Sequence, residues 1–212
     1  MKNSLTILIH GFNKDSRDMA FLEKGLSESG FETVSVDLPA RLGTMDKCIE
    51  VLHLQISDLV REHQAVNYVA HSMGGLIARA YINHVQQANV GKCVFIATPH
   101  NGSRLAGIAN RIPFYSMIFQ TVKPILPGSD FLPPSLPEGI MVGLIAGNKN
   151  RHLLGRLFLS EQSDGRIEVS SVESRDADEF IVLPFGHKEI HHQHETLMLV
   201  RNFLLKGTFV NS

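Results

Sequence analysis

The chain has only two cysteines, Cys48 and Cys93, and both sit in apolar contexts. They make no disulfide framework; they read as small core residues and fit a reducing compartment. An excess of charge is also missing: Lys plus Arg number 20 and Asp plus Glu 21, for a formal net charge of −1. That balance offers nothing to draw nucleic acid, and no Lys/Arg block marks a polybasic membrane patch. No apolar run approaches the length of a membrane span, so no integral membrane segment is expected. Internal repeats and low-complexity tails are absent. The opening MKNSLTILIHG carries one lysine and a six-residue apolar run. That run is short for a secretory leader and lacks a small-residue cleavage site. It reads as a first strand and points to the cytoplasm, although a chain already trimmed of a leader would read the same way.

What is present is an ordinary globular composition, 43% hydrophobic and 19% charged. The 212 residues suffice for one sizeable core and are short for two. A single domain over 1–212 is expected. Short apolar runs alternate with helical patterns. LTILIH (5–10) reads as a strand and 18–29 as a helix with Phe21, Leu22 and Leu26 on one face, ended by Gly30. FETVSVDLP (31–39) is a strand, and Thr44 caps a helix over 45–63 in which Ile49, Leu52, Ile56, Leu59 and Val60 recur at three and four. VNYVAH (66–71) is a strand, 73–87 a helix, KCVFIAT (92–98) a strand. From 99 to 137 the pattern breaks into an irregular segment rich in proline and aromatics, too apolar for a linker. GIMVGLIAG (139–147) and DEFIVLP (178–184) resume the strands, and 194–205 closes with a helix. Near-continuous apolar strands between helices predict a mostly parallel sheet of about six strands with helices on both faces.

The strand VNYVA stops on HSMGG, so that Ser72 falls where a strand turns sharply into a helix. Such a turn forces its central residue into strained angles and exposes the hydroxyl at the end of the sheet. Its flanks must be small, as Ala70, Gly74 and Gly75 are. The N–H of Met73, at the helix start, points towards the same space, where negative charge is favoured. Together these features form a nucleophile elbow; the plainer alternative is a serine that only caps a helix.

The chain resembles the α/β-hydrolases of the small serine lipase and esterase kind, with Ala70 in place of the first glycine of the usual Gly-x-Ser-x-Gly. Three further stretches carry the resemblance: ILIHGFN (7–13), TPHNGS (98–103) and LPGSDFLPPSL (126–136). SDGRIEVSS and NFLLKGTF extend it to the C-terminus, towards compact lipase-like hydrolases similar to inositol-deacylase-type enzymes. The resemblance implies an α/β-hydrolase fold in its compact form, with 99–137 as a lid-like insert. It also implies a second oxyanion-hole N–H from Phe12 beside that of Met73.

A serine needs a base, and the base an orienting carboxylate, in the chain order Ser, acid, His. Among Glu161, Asp164, Asp176 and Asp178, Asp164 is preferred: its Asp-Gly turn is tight and matches the family segment. Asp176 and Asp178 read as solvated loop charges. FGHKEIHHQHETL offers His187, His191, His192 and His194. His187 directly follows the last strand, and Gly186 gives the loop room to turn. His191 is the rival, and His192 and His194 read as exposed. The cluster raises a metal reading, but no carboxylate stands at a telling spacing and there is no His-Glu-x-x-His, so no metal and no cofactor are expected. His10 and His71 read as supporting or packing groups, and His100 either lines the pocket or caps a backbone group.

The expected function is hydrolysis of a small-molecule or lipid ester with a hydrophobic acyl group, through Ser72, Asp164 and His187 and an acyl-enzyme. Phe114, Tyr115, Met117, Ile118, Phe119 and Phe131 in the insert either cover that acyl group or pack on the sheet. An acyltransferase or thioesterase on the same groups, or a binding protein that kept only the fold, are the alternatives. The sequence names no partner protein.

Overall fold

A computed structural model describes residues 3–104, 107, 135–150 and 159–210. Six strands form one sheet: β1 (Ser4–Ile9), β2 (Glu32–Val36), β3 (Ala65–His71), β4 (Val90–Ile96), β5 (Met141–Gly147) and β6 (Glu179–Leu183). Their order is β2-β1-β3-β4-β5-β6, and every neighbouring pair is parallel. Among the described residues the α-helices are α1 (Ala20–Glu28), α2 (Met45–Glu62), α3 (Met73–Val85), the one-turn α4 (Val169–Val172) and α5 (His194–Lys206). This is the doubly covered parallel sheet that the alternation of strands and helices predicts.

The central strands are apolar on both faces because both are covered. Ile7, Ile9, Tyr68, Ala70 and Phe95 meet α2 and α3 through Cys48, Leu52, Ile56, Ile77 and Tyr81. Leu8, Val69, Val94 and Ile145 meet α1 and α5 through Leu22, Leu26, Val200 and Phe203. The α2 start is as expected: the Thr44 hydroxyl accepts from Lys47 N–H at 3.1 Å. One departure is Phe21, which is exposed while Leu22 and Leu26 of the same helix are buried. Their spacing of four defines the buried stripe, and Phe21 falls one position outside it. The short α4 was not anticipated; four residues carry too little periodicity to be read.

The C-terminal ends of β1, β3, β4, β5 and β6 all lie at one end of the sheet. In open parallel sheets that end is where ligands meet the protein. Of the insert, only its beginning and its end fall among the described residues.

Candidate active site

Ser72 follows the last residue of β3 and precedes the first of α3, at φ 55° and ψ −126°. A non-glycine residue at positive φ costs on the order of 1–3 kcal/mol and persists only where its surroundings dictate it. Here they do. Ser72 N–H donates to Ile96 O at 2.8 Å, and the Ser72 carbonyl accepts from Thr98 Oγ1 at 2.9 Å and from Gly75 N–H at 3.1 Å. The two glycines let α3 sit hard against the strand ends. A Cβ on Gly74 would lie 2.6 Å from the carbonyl oxygens of Ile9 and His10, and one on Gly75 would collide with Thr98 Oγ1. The run of small residues after Ser72 is thus required by close approach to β1 on one side and to the segment after β4 on the other.

The loop after β5 brings Asp164 under the loop after β6. Asp164 is fully buried, and its Oδ1 accepts from the N–H groups of Arg166 (2.9 Å) and Ile167 (2.7 Å) across a turn in which Gly165 has φ +91°. Oδ2 lies 2.7 Å from His187 Nδ1, and the Asp164 carbonyl accepts from His187 N–H at 3.0 Å. Gly147 closes β5 where a Cβ would lie 2.9 Å from Asp164 Cβ. On the far edge of the imidazole, Nε2 is 2.9 Å from Ser72 Oγ. An ionised Asp164 keeps the proton on Nδ1 and leaves Nε2 to accept from the serine hydroxyl. Residues 72, 164 and 187, distant in sequence, therefore make one continuous hydrogen-bonded line.

The segment after β1 passes directly beside the serine: a Cβ on Gly11 would lie 3.1 Å from Ser72 Cβ. His10 fixes that segment. Its Nε2 accepts from Leu38 N–H at 3.0 Å and its Nδ1 donates to Gly11 O at 2.9 Å. Phe12 follows, half-buried against the core on the α2–α3 face. Met73, first in α3, has no intrahelical acceptor for its N–H.

The remaining histidines are sorted by their neighbours. His71 donates Nε2–H to the carbonyl of His187 at 3.0 Å, and burial holds its basicity well below the usual histidine value. His191 points away from the serine: its ring stacks on His71 at 3.8 Å and its Nε2 lies 3.1 Å from Asp18 Oδ2. His192 and His194 are exposed. His100 meets the edge of the Phe95 ring at 5.4 Å, and its Nε2 has no hydrogen-bond partner among the described residues. Burial, with a contribution from Arg79, pushes its pKa down to about 3. Phe114, Tyr115, Met117, Ile118, Phe119 and Phe131 lie outside the described residues.

One reading of the loop acids needs correction. Asp176 is not a solvated charge: it receives Arg79 at 2.6 and 2.9 Å and Leu136 N–H at 2.8 Å. Burial raises its pKa, but the bonds from Arg79 and Ser174 outweigh that and hold it below the usual carboxylate range. Arg79, itself buried on α3, also lies 5.0 Å from the centre of the Phe95 ring. Asp178 is exposed, as expected, and also accepts from Val142 N–H at 2.7 Å, which ties the start of β6 to β5. Neither Arg79 nor Asp18 was singled out from the sequence, because each finds its partner only through the fold.

Residues 6–123, more than half of the chain, match the family model described as palmitoyl protein thioesterase. The chain belongs to this family. The matched stretch includes Ser72 and the segment after β1, and ends before Asp164 and His187. No curated protein matches the sequence. Among solved structures, the mature form of the lipase BlEst2 from Bacillus licheniformis superposes with a TM-score of 0.78 at 17% identity, covering 97% of this chain and 92% of that one. The ydeN gene product of B. subtilis gives 0.65 at 16%, covering 95% and 97%. The metagenomic carboxyl esterase MGS0156 gives 0.68 at 15%, covering 87% and 64%. These likenesses establish the α/β-hydrolase fold, and with the family match they make the chain a hydrolase of the esterase, lipase and thioesterase kind. Among the described residues no helix is long and apolar enough to cross a membrane.

Proposed function

We propose that the chain hydrolyses acyl esters, thioesters included, by forming an acyl-enzyme on Ser72, with His187 as base and Asp164 as its orienting acid. The observation that carries this reading is the line Ser72 Oγ–His187 Nε2 (2.9 Å) and His187 Nδ1–Asp164 Oδ2 (2.7 Å). It starts from a serine in the strained conformation of a nucleophile elbow. His187 Nε2 takes the Ser72 proton as Oγ attacks the acyl carbon. The oxyanion is stabilised by the N–H groups of Met73 and Phe12. His187 then passes its proton to the departing alcohol or thiol. Water, deprotonated by the same nitrogen, releases the carboxylic acid and restores Ser72. Losing one oxyanion donor typically costs about 10²–10³ in rate. These steps call for no cofactor.

The reading includes a single domain whose insert covers the acyl group, with His100, Phe114, Tyr115, Met117 and Phe119 on the substrate side. A thioester leaving group is the second reading, favoured by the family match over residues 6–123. Transfer to an acceptor other than water would use the same residues. The test is hydrolysis of p-nitrophenyl esters and of acyl thioesters of graded chain length. Ser72→Ala should abolish both activities while the circular dichroism spectrum is unchanged, and the wild-type rate should rise from acetyl to medium-chain acyl groups. Hydrolysis retained in Ser72→Ala would overturn the nucleophile. A profile that peaks at acetyl and collapses by hexanoyl would overturn the acyl-covering insert. Faster turnover of the thioester than of the matched oxygen ester would select the thioesterase reading.

A further inference from the structure

Asp18, just before α1, and the adjacent His191 and His192, in the turn before α5, converge although they are far apart in sequence. One ligand-type atom from each lies within 4.8 Å of the others. His191 Nε2 is 3.1 Å from Asp18 Oδ2 and His192 Nε2 is 3.7 Å from Asp18 Oδ1. We propose that these three side chains bind a divalent transition-metal ion of the zinc class, at a site separate from the serine and coupled to it through His71.

The geometry suits such an ion. Tetrahedral zinc with bonds of about 2.0–2.2 Å to nitrogen and oxygen sets its ligand atoms roughly 3.3–3.5 Å apart. The two observed separations bracket that value but run to different oxygens of the Asp18 carboxylate, so an ion held by one of those oxygens requires the carboxylate and the exposed His192 to turn towards it. Two ligands are already fixed: His191 is buried and held by its stack on His71, and the Asp18 side chain is nearly buried. The third, His192, lines a cleft of about 670 Å³ together with Asp18, Asn13, Lys14 and Asp15. That cleft supplies an entry path and room for a fourth ligand. The carboxylate already holds a cation: Lys14 Nζ lies 2.5 Å from Asp18 Oδ1, on a side chain that is 44% exposed and free to swing into solvent. An incoming ion competes with this lysine. His191 must also move its proton from Nε2, facing Asp18, to Nδ1, which has no hydrogen-bond partner among the described residues. Metal-bound imidazoles usually have such a partner, and its loss typically weakens binding about 10–100-fold. The site is therefore weaker than a structural zinc site and suited to reversible occupancy.

Occupancy has a consequence that rests on the reading of His187 as the base. His191 stacks on His71, and His71 holds the His187 carbonyl. A dication on His191 opposes the positive charge that His187 must take up as the serine attacks, so the ion inhibits hydrolysis.

The test uses the full chain stripped by a chelator, with zinc titrated by calorimetry and cobalt(II) by its visible absorption. One ion per chain at micromolar affinity is expected. His192→Ala should weaken binding at least tenfold, His194→Ala should leave it unchanged, and Lys14→Met should tighten it severalfold. Zinc should inhibit the wild type and have little effect on His192→Ala, whose zinc-free activity is unchanged. No binding, binding indifferent to His192, or binding weakened by Lys14→Met would each overturn the site. Binding of the predicted pattern in a chain without Ser72-dependent hydrolysis would uphold the site and overturn only the functional reading.

Discussion

Ser72 joins a strained backbone at φ 55° to a hydroxyl that lies 2.9 Å from an imidazole nitrogen. Every constraint on its conformation comes from a neighbour, Ile96, Thr98 or Gly75, so the strain is held by the fold around it. The histidine facing it is the residue the sequence left contested, and the two candidates have separate surroundings. His187 lies between Ser72 and Asp164; His191 lies between His71 and Asp18. In zinc-free buffer, His187→Ala should lower kcat by several orders of magnitude, since such groups act as one unit. His191→Ala should stay within about tenfold, the size expected of a neighbour that acts through His71. Steady-state kinetics on a p-nitrophenyl ester separate them, and the reverse pattern would move the base to His191.

At the scale of elements, α3 carries the site because two residues of its first turn, Gly74 and Gly75, have no side chain. Substituting either glycine should destabilise the fold, for different reasons. A Cβ on Gly74 meets backbone oxygens of Ile9 and His10, which cannot yield without moving β1, and one on Gly75 meets Oγ1, Cγ2 and Cβ of the buried Thr98, whose hydroxyl holds the Ser72 carbonyl. Overpacking of this kind costs about 1–3 kcal/mol, so Gly74→Ala and Gly75→Ala should each fall at or above the top of that range. Urea denaturation measures both; two variants within about 0.5 kcal/mol of wild type, the usual spread for innocuous sites, would contradict the packing argument. Elements of this kind were legible in the sequence because their causes are local. The Thr44 cap, the apolar runs and the Gly74–Gly75 pair each follow from chain geometry over a few residues. Phe21 was misplaced because one residue off a helical stripe looks apolar on either side of it. Asp176 was misread as solvated because Arg79, its partner, stands on another element.

Across the whole molecule, the features hardest to read are contacts that close only when all six strands are in order, such as Asp18 with His191 and Asp176 with Arg79. Buried polar groups of this class make stability depend on pH. His100 has a pKa depressed to about 3 by burial, with Arg79 adding to the shift and Asp176 opposing it. Below the unfolded value of about 6.5 the unfolded chain binds a proton that the folded chain refuses. Its contribution is therefore fully present above about pH 6.5 and is lost as pH falls towards 3, with a slope of at most about 1.4 kcal/mol per unit. Tm should drop between pH 7 and pH 5, and His100→Phe, which keeps a ring against Phe95, should flatten the drop; an unaltered slope would assign the dependence to other groups. The central claim remains the line from Ser72 to Asp164, and labelling the intact chain with a fluorophosphonate, followed by peptide mapping, tests it most directly. The label is predicted on Ser72 alone, at a rate that collapses in His187→Ala; a label on Ser103 or Ser129, or none in the folded wild type, would contradict it.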